Sequence, residues 1–194
     1  MTVILRDIRP EDKPLILTWR NSPEVARYMY TDHLITLEEH ERWFQTILSD
    51  HKTRYWIITD NQKDVGLVYL YNIDRQHKRC YWGSYIASPG SRGSGVGSIT
   101  EYRIMHYVFE DLNFNRLCCE VLVSNMFAIE MHKKFGFVEE GYFREHVMKG
   151  GQHVDVISLA MLRKEWEANK LEIESQLQRK GLLCREGAWE KLVD

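Results

Sequence analysis

The chain has 194 residues, a formal net charge of −2 and 44% hydrophobic residues, with ten Tyr, seven Phe and six Trp. That content marks a folded chain, one domain or one domain with an appendage, and excludes a disordered segment. The charge gives no support to an electrostatic nucleic-acid binder, and Cys80, Cys118, Cys119 and Cys184 lack any C-x-x-C spacing, so neither a disulfide framework nor a zinc site is indicated.

The N-terminus has no basic-then-apolar signal pattern, and no apolar run reaches the ~18 residues of a membrane span. The expectation is a cytoplasmic protein with no membrane, nucleic-acid or metal partner. Val3 to Ile8 reads as a first strand. Arg9-Pro10-Glu11-Asp12 opens a helix with Leu15, Ile16 and Trp19 on its apolar stripe. A turn-rich interruption, Arg20 to Glu24, leads to a short segment ending at Tyr30. Thr36 and Glu39 form a capping-box pattern. The helix they start runs through Leu48, with Leu37, Trp43, Phe44 and Ile47 on its apolar side.

Arg54–Thr59, Val65–Ile73 and Cys80–Ser88 read as strands joined by short turns, which favours an antiparallel meander. A glycine-rich turn follows, then a helix from Ile99 to Glu110 carrying Ile99, Tyr102, Met105 and Phe109 at core spacing. Arg116–Ser124 is a buried-type strand. Asn125–Phe135 is a short helix stopped by Gly136. Glu140–Met148 and His153–Leu162 form a last hairpin across Lys149-Gly150-Gly151-Gln152. From Lys164 the chain is charged and helical, with Trp166, Leu171, Ile173 and Leu177 able to pack; Gly181 ends it, and Cys184 to Asp194 reads as a loosely held tail. Helices interleave with strands around one mixed, mostly antiparallel sheet of about seven strands. The fold class is α/β (α+β), with a domain over residues 1–163 and a helical extension over 164–194.

The organising stretch is Arg92-Gly93-Ser94-Gly95-Val96-Gly97-Ser98. Glycines let such a turn take positive φ and approach a ligand closely. The following helix offers unpartnered N–H groups and partial positive charge, which suits a pyrophosphate. Arg92 adds a cation. The spacing lacks the Gly-Lys-Ser/Thr ending of a P-loop and the third interval of G-x-G-x-x-G. Chain reversal alone is the competing reading. What fits is Arg-x-x-Gly-x-Gly, which resembles the coenzyme A pyrophosphate loop of the GNAT (Gcn5-related) N-acetyltransferases.

A second stretch, Asn125 to Phe137, resembles the same family's N-x-x-A-x-x-x-Y-x-K-x-G-F pattern. Asn125, Ala128, Lys134, Gly136 and Phe137 match, and His132 stands where many relatives have tyrosine. The two motifs occur in the family's order and, with the element order, cover roughly residues 1–162. Independently of the resemblance, Asn125, Ala128 or Ile129, and His132 share one helix face. Asn125 can cap that helix or bond an extended amide ligand, and Ala128 is small enough to admit one. An exposed helix histidine beside Lys133 is the competing reading of His132.

The resemblance implies a GNAT fold and acetyl-CoA as cosubstrate. It places the cosubstrate against Tyr85, Ile86 and Ala87, whose strand carries the backbone donor for the tetrahedral oxyanion, and against Arg92–Ser98, Asn125, Ala128, His132 and Lys134. His132 is implied as the proton donor to the departing thiolate, work that an imidazole suits. Glu120, a carboxylate in an apolar strand, is the candidate base for the attacking amine, directly or through water; a partnered structural charge is the alternative, and Glu38, Glu39 and Glu101 are other carboxylates to weigh.

The acceptor side reads from Trp19, Arg20, Asn21, Arg27, His40 and Trp43. Their order resembles a GNAT subgroup of the pseudaminic-acid pathway, which acetylates the 4-amino group of a UDP-linked amino-dideoxy sugar. Arg20, Arg27 and His40 suit a diphosphate, and Trp19, Tyr28, Tyr30 and Trp43 offer faces to a sugar or uracil, unless the tryptophans are helix core. The implied partner is a small nucleotide-linked amino sugar, with a homodimer possible. A ribosomal-protein N-terminal amine is the alternative acceptor, and an acyl-CoA sensor without chemistry a further reading.

Overall fold

The computed structural model describes residues 1–183. Strand β1 (Val3–Asp7) leads to helices α1 (Lys13–Asn21), α2 (Pro23–Ala26) and α3 (Leu37–Ser49). Strands β2 (Arg54–Asp60), β3 (Lys63–Asp74) and β4 (Arg79–Ile86) form the meander. Helix α4 (Val96–His106), strand β5 (Arg116–Leu122) and helix α5 (Met126–Lys134) follow. The β6 (Val138–Lys149) and β7 (Gln152–Leu162) hairpin and helix α6 (Arg163–Arg179) complete the described chain. The seven strands lie in the order β1-β2-β3-β4-β5-β7-β6. Every neighbouring pair is antiparallel except β4 and β5, which run parallel.

Local rules explain these elements. The Thr36 hydroxyl accepts from the Glu39 amide (3.2 Å) and the Glu39 carboxylate accepts from the Thr36 amide (2.8 Å), the reciprocal pair that starts α3. The β2–β3 hairpin closes over Asn61 and Gln62, both with positive φ (48° and 67°), a turn whose twist matches its strands. Helix α4 begins three residues earlier than its apolar pattern suggests, because Gly95 at φ 100° lets the chain enter the helix directly from the glycine turn.

Each strand residue faces opposite to the next, so the sheet has two distinct layers. Trp56, Trp82 and Cys119 join Tyr102, Met105, Phe109 and Trp166 in the larger core, under α4–α6. Ile57, Leu67 and Tyr85 face the other way and pack with Ile16, Val25 and Phe44 of α1–α3. Leu37 and Leu171 were expected to pack but stand at 71% and 77% exposure, each at a position its helix turns to water. Helix α6 applies its apolar side to α4. Trp166 stacks on Phe109 (5.9 Å) and donates to Glu110 (2.8 Å), and Tyr102 donates to Glu174 (2.6 Å). The expected tail from Cys184 lies outside the described residues. No helix among the described residues is long and apolar enough to cross a membrane.

Arg6 pins β1 to the start of the helical layer. Its guanidinium donates to both carboxylate oxygens of Asp12 (2.8 Å each) and to Asp64 (2.6 Å). Burial alone would raise the Asp12 carboxyl, but hydrogen bonds from Arg6 and the Arg9 amide outweigh it and hold it below its ordinary value. A depressed carboxyl stabilises the fold above its unfolded-state pKa, and that contribution disappears as pH falls through the folded-state value. Asp12→Asn is therefore expected to lower unfolding stability clearly at pH 7. The gap to wild type should close as pH falls below about 4, the ordinary carboxylate range. Urea denaturation at both pH values checks this.

Candidate active site

Strands β4 and β5 pair only through Arg79–Tyr81 and Arg116–Cys118. Beyond Tyr81 and Cys118 they diverge, β4 running on to Ile86 and β5 to Leu122. The sheet opens into a V at this point. The glycine turn sits at the end of the β4 arm. Gly93 (φ 75°) and Gly95 (φ 100°) take conformations that side chains disfavour, and the Ser94 hydroxyl donates to the Ser91 carbonyl (2.8 Å). Val96, Gly97 and Ser98 supply the first N–H groups of α4, which have no intrahelical acceptor. Arg92 Nε and Nη2 donate to the carbonyls of Ile86 (3.0 Å) and Ala87 (3.2 Å), so this side chain staples the turn to the strand. The Ala87 amide donates to Val65 (2.8 Å), which removes it from the expected oxyanion donors.

His132 stands beside Trp82, the first β4 residue past the last β4–β5 pair. Asn125 caps α5 through its side chain, accepting weakly from the Ala128 amide (3.4 Å), and Ala128 packs on the larger core. Seven residues on, His132 is buried rather than exposed beside Lys133. Its Nδ1 lies 2.7 Å from Glu101 Oε1, and its ring meets Trp82 edge-on at 5.2 Å and Phe137 at 5.6 Å. Glu101 is thereby committed to His132 and leaves the set of candidate bases. Glu39 leaves it too, engaged at the α3 cap and with His33 (3.1 Å). Glu38 is an exposed residue of the first turn of α3. Lys134 is exposed on the last turn of α5.

Glu120 occupies the opposite face. Leu117, Cys119 and Val121 join the larger core, so Glu120 points to the α1–α3 side. Its Oε2 accepts from the Tyr30 hydroxyl (2.9 Å). Beside it runs a row of rings, Tyr55–Tyr69 (5.2 Å), Tyr69–Tyr71 (5.9 Å) and Tyr71–Tyr81 (5.3 Å). Burial foremost, with the charge of Glu120, raises the Tyr30 and Tyr71 hydroxyls, while burial pushes Tyr55 up to about 12. These hydroxyls stay protonated near neutral pH.

The helical roof places the remaining candidates. Trp19 meets Tyr85 edge-on (6.5 Å) and Trp43 meets Tyr55 (5.4 Å); both pack against the smaller core. Arg20 Nη2 donates to Thr31 (3.2 Å), but its Nη1 is buried with no hydrogen-bond partner among the described residues, and so is the Tyr85 hydroxyl. Arg27 is exposed, its guanidinium 4.6 Å from the Tyr28 ring centre.

Two of the expected acceptor-side residues are held within the fold. Asn21 clips the Ile35 backbone with both amide atoms (2.9 Å each) and so shapes the loop. His40 is buried, stacked on Trp43 (5.0 Å) and bonded through Nε2 to the Lys13 carbonyl (2.8 Å). Burial, foremost, lowers its pKa. Of the three expected cations, Arg20 alone has a buried unpartnered nitrogen.

Sequence reading missed the tyrosine row and Lys149. The Tyr69-x-Tyr71 alternation, facing Tyr81 in register, carried the first signal. Lys149 donates to the carbonyls of Ala26 (3.0 Å), Met29 (2.9 Å) and Thr31 (3.3 Å), tying the last hairpin to the roof; nothing local in sequence marks it.

A sheet split beside a glycine turn, with Glu120 on one face and His132 on the other, is the candidate site. Residues 2–138 match the family model of the acetyltransferase (GNAT) domain. The chain belongs to the GNAT acetyltransferases, and its activity is acetyl-CoA-dependent acetylation of an amine. It is 30% identical over 131 residues to acetyltransferase PseH of Campylobacter jejuni, covering 68% of this chain and 80% of that protein. It is 27% identical over 163 residues to the spermidine N(1)-acetyltransferase of Vibrio cholerae, covering 84% and 94%. A crystal structure of the Vibrio cholerae spermidine N-acetyltransferase in complex with CoA and spermine superposes with a TM-score of 0.79 at 26% identity, over 85% of this chain and 98% of that one.

The glycine turn gives a direct test. A Cβ on Gly95 would lie 2.4 Å from Leu182 Cδ2, at a φ of 100°. Gly95→Ala is expected to cost about 1–3 kcal/mol of stability from backbone strain and to weaken CoA binding at least tenfold. Adding Leu182→Ala should relieve the clash but not the strain, so affinity should recover only in part. Calorimetric titration with CoA and thermal melting of both variants check this.

Proposed function

We propose that this enzyme acetylates a nucleotide-linked amino sugar, with the 4-amino group of a UDP-linked amino-dideoxy sugar as the leading acceptor. The observation that carries the reading is the buried, unpartnered Nη1 of Arg20 above the tyrosine row. A polyamine is drawn by carboxylates and repelled by such a guanidinium. A phosphate or a hydroxyl-rich sugar supplies the acceptor atoms that Arg20 lacks and stacks on rings. The likeness to PseH supports the same reading; the likeness to spermidine acetyltransferases is as strong, supports amine acetylation and makes a polyamine the competing acceptor.

Acetyl-CoA would enter the V with its pyrophosphate on Arg92–Ser98. Amides alternate sides along an antiparallel ladder. Since Ala87 donates to β3, the Ile86 amide faces the V, and we assign it to the oxyanion. Glu120, held by Tyr30, takes a proton from the attacking amine. The C–N bond forms, the C–S bond breaks, and sulfur leaves with its electron pair and a proton from His132. Asn125, Ala128 and Lys134 line the cosubstrate side in this reading, and Trp19, Trp43 and Arg27 border the acceptor.

Thiol release from acetyl-CoA is to be measured with a UDP-4-amino-dideoxy sugar, spermidine and a ribosomal-protein N-terminal peptide. Turnover with the sugar is expected, with Arg20→Met raising its KM at least tenfold and leaving the KM for acetyl-CoA unchanged. Glu120→Gln should lower kcat about 100-fold or more, the usual scale for a lost general base. Turnover with spermidine or the peptide and none with the sugar would overturn the acceptor assignment.

A further inference from the structure

Glu101 and His132 form an inner pair that the match to tyrosine-bearing relatives does not explain. Glu101 is fully buried in α4, a helix that otherwise presents Ile99, Tyr102, Met105 and Val96 to the core. A buried carboxylate needs a partner, and the one it has is Nδ1 of His132 at 2.7 Å. Its second oxygen, Oε2, is buried with no hydrogen-bond partner among the described residues. Such a group is costly, so its presence calls for a use.

The position of the pair suggests that use. Trp82, which the His132 ring touches, is the first β4 residue past the last β4–β5 pair, Tyr81 with Cys118. On the other strand, Cys119 is the first residue past that pair. Its thiol is pushed well up, by burial foremost and then by the negative charge of Glu101. The pair therefore lies beside Trp82, where the sheet opens. Trp82 and Phe137 confine the ring on its sides, and Glu101 holds one of its two nitrogens.

We infer that Glu101 is a positioning residue that fixes the proton of His132 on Nδ1 and so presents Nε2 to the sulfur of coenzyme A. An ionised carboxylate can only accept, and we assign the N–H of the 2.7 Å contact to Nδ1 on that basis. In the reaction, the imidazolium Nε2–H gives its proton to the departing thiolate. His132 is left neutral, still as the Nδ1–H tautomer. The proton that the amine loses on the opposite face returns through solvent to Nε2, so the cycle consumes amine and thioester and releases amide and thiol with no net proton. This inference rests on the acetyl-transfer reading of the site, but not on the choice of acceptor. The Glu101–His132 pair would then do what one phenol does in relatives with tyrosine: supply a proton donor, here locked in orientation by its own partner.

The test uses the full chain labelled with 15N-histidine, the His132 resonances being assigned by their loss in His132→Gln. Wild type is expected to show Nδ1 protonated. CoA should shift the Nε2 resonance, and desulfo-CoA, which lacks the thiol, should not. Glu101→Gln, whose amide can either donate or accept, should lose the fixed tautomer. It should lower kcat at least tenfold while the KM for acetyl-CoA stays within twofold, and Glu101→Asp should restore part of kcat. A neutral His132 that carries its proton on Nε2 rather than Nδ1 in wild type, or equal shifts with CoA and desulfo-CoA, would overturn the inference. So would a Glu101→Gln variant that keeps its tautomer and kcat, or one that loses CoA binding and kcat in parallel as a packing defect would. Should wild type release no thiol with any amine, the function proposed above fails, while the two NMR readouts still decide the role of Glu101.

Discussion

The short pairing of β4 with β5 is the constraint on which the rest of this structure depends. Three residue pairs join the strands, and then the sheet divides. A divided sheet leaves strand amides and carbonyls without partners in the interior, a cost that folds avoid unless the groups find other work. Part of that demand is met inside the chain, since Arg92 takes the carbonyls of Ile86 and Ala87. The remainder is the polar surface that an extended amide ligand can satisfy. The opening is stable because each arm is fastened elsewhere, β4 along β3 and β5 along β7.

The division also separates the chemistry. Alternation along β5 sends Cys119 under α4–α6 and Glu120 under α1–α3, although the two are adjacent in sequence. An amine must lose a proton and a thiolate must gain one. In the mechanism proposed above, Glu120 on one face and His132 on the other would carry two opposite proton transfers across one reacting carbon without the donor and acceptor neutralising each other directly. The two carboxylates differ in setting as well. Glu120 is half-buried with a tyrosine hydroxyl, whereas Glu101 is sealed in the core with an imidazole.

Much of this was legible in the chain. The seven strands, the glycine turn and the order of the two motifs follow from local signals: alternation, a capping box, and glycines where φ must be positive. Glu120 was visible as a carboxylate in an apolar strand. What escaped were the partners. His40 and Asn21 carry the same side chains whether they face a ligand or the Lys13 and Ile35 backbone, and only tertiary packing decides between them. The Glu101–His132 pair escaped for a related reason. The two residues are 31 positions apart, on different helices, and Glu101 lies in a helical pattern whose period reads as core. The tyrosine row needed the β3–β4 register, which local residue patterns leave open.

The segment beyond the family match shapes the site as much as the motifs do. The matched region ends at residue 138, before the hairpin and α6. Yet β7 lies between β5 and β6 in the sheet and forms the outer fastening of the β5 arm. Lys149, at the hairpin tip, gathers the carbonyls of Ala26, Met29 and Thr31, and so sets the segment carrying Tyr30 over Glu120. Helix α6 grips α4 through Trp166, Tyr102 and Glu174, and the chain just after it lays Leu182 over Gly95. The orientation of α4 controls both ends of the site, since the glycine turn precedes its first residue and Glu101 lies in its middle. Packing by α6 is thus felt at the glycine turn and at the histidine together. A shift of α4 along its axis would change both at once, whereas a change at Lys149 would reach only the acceptor side.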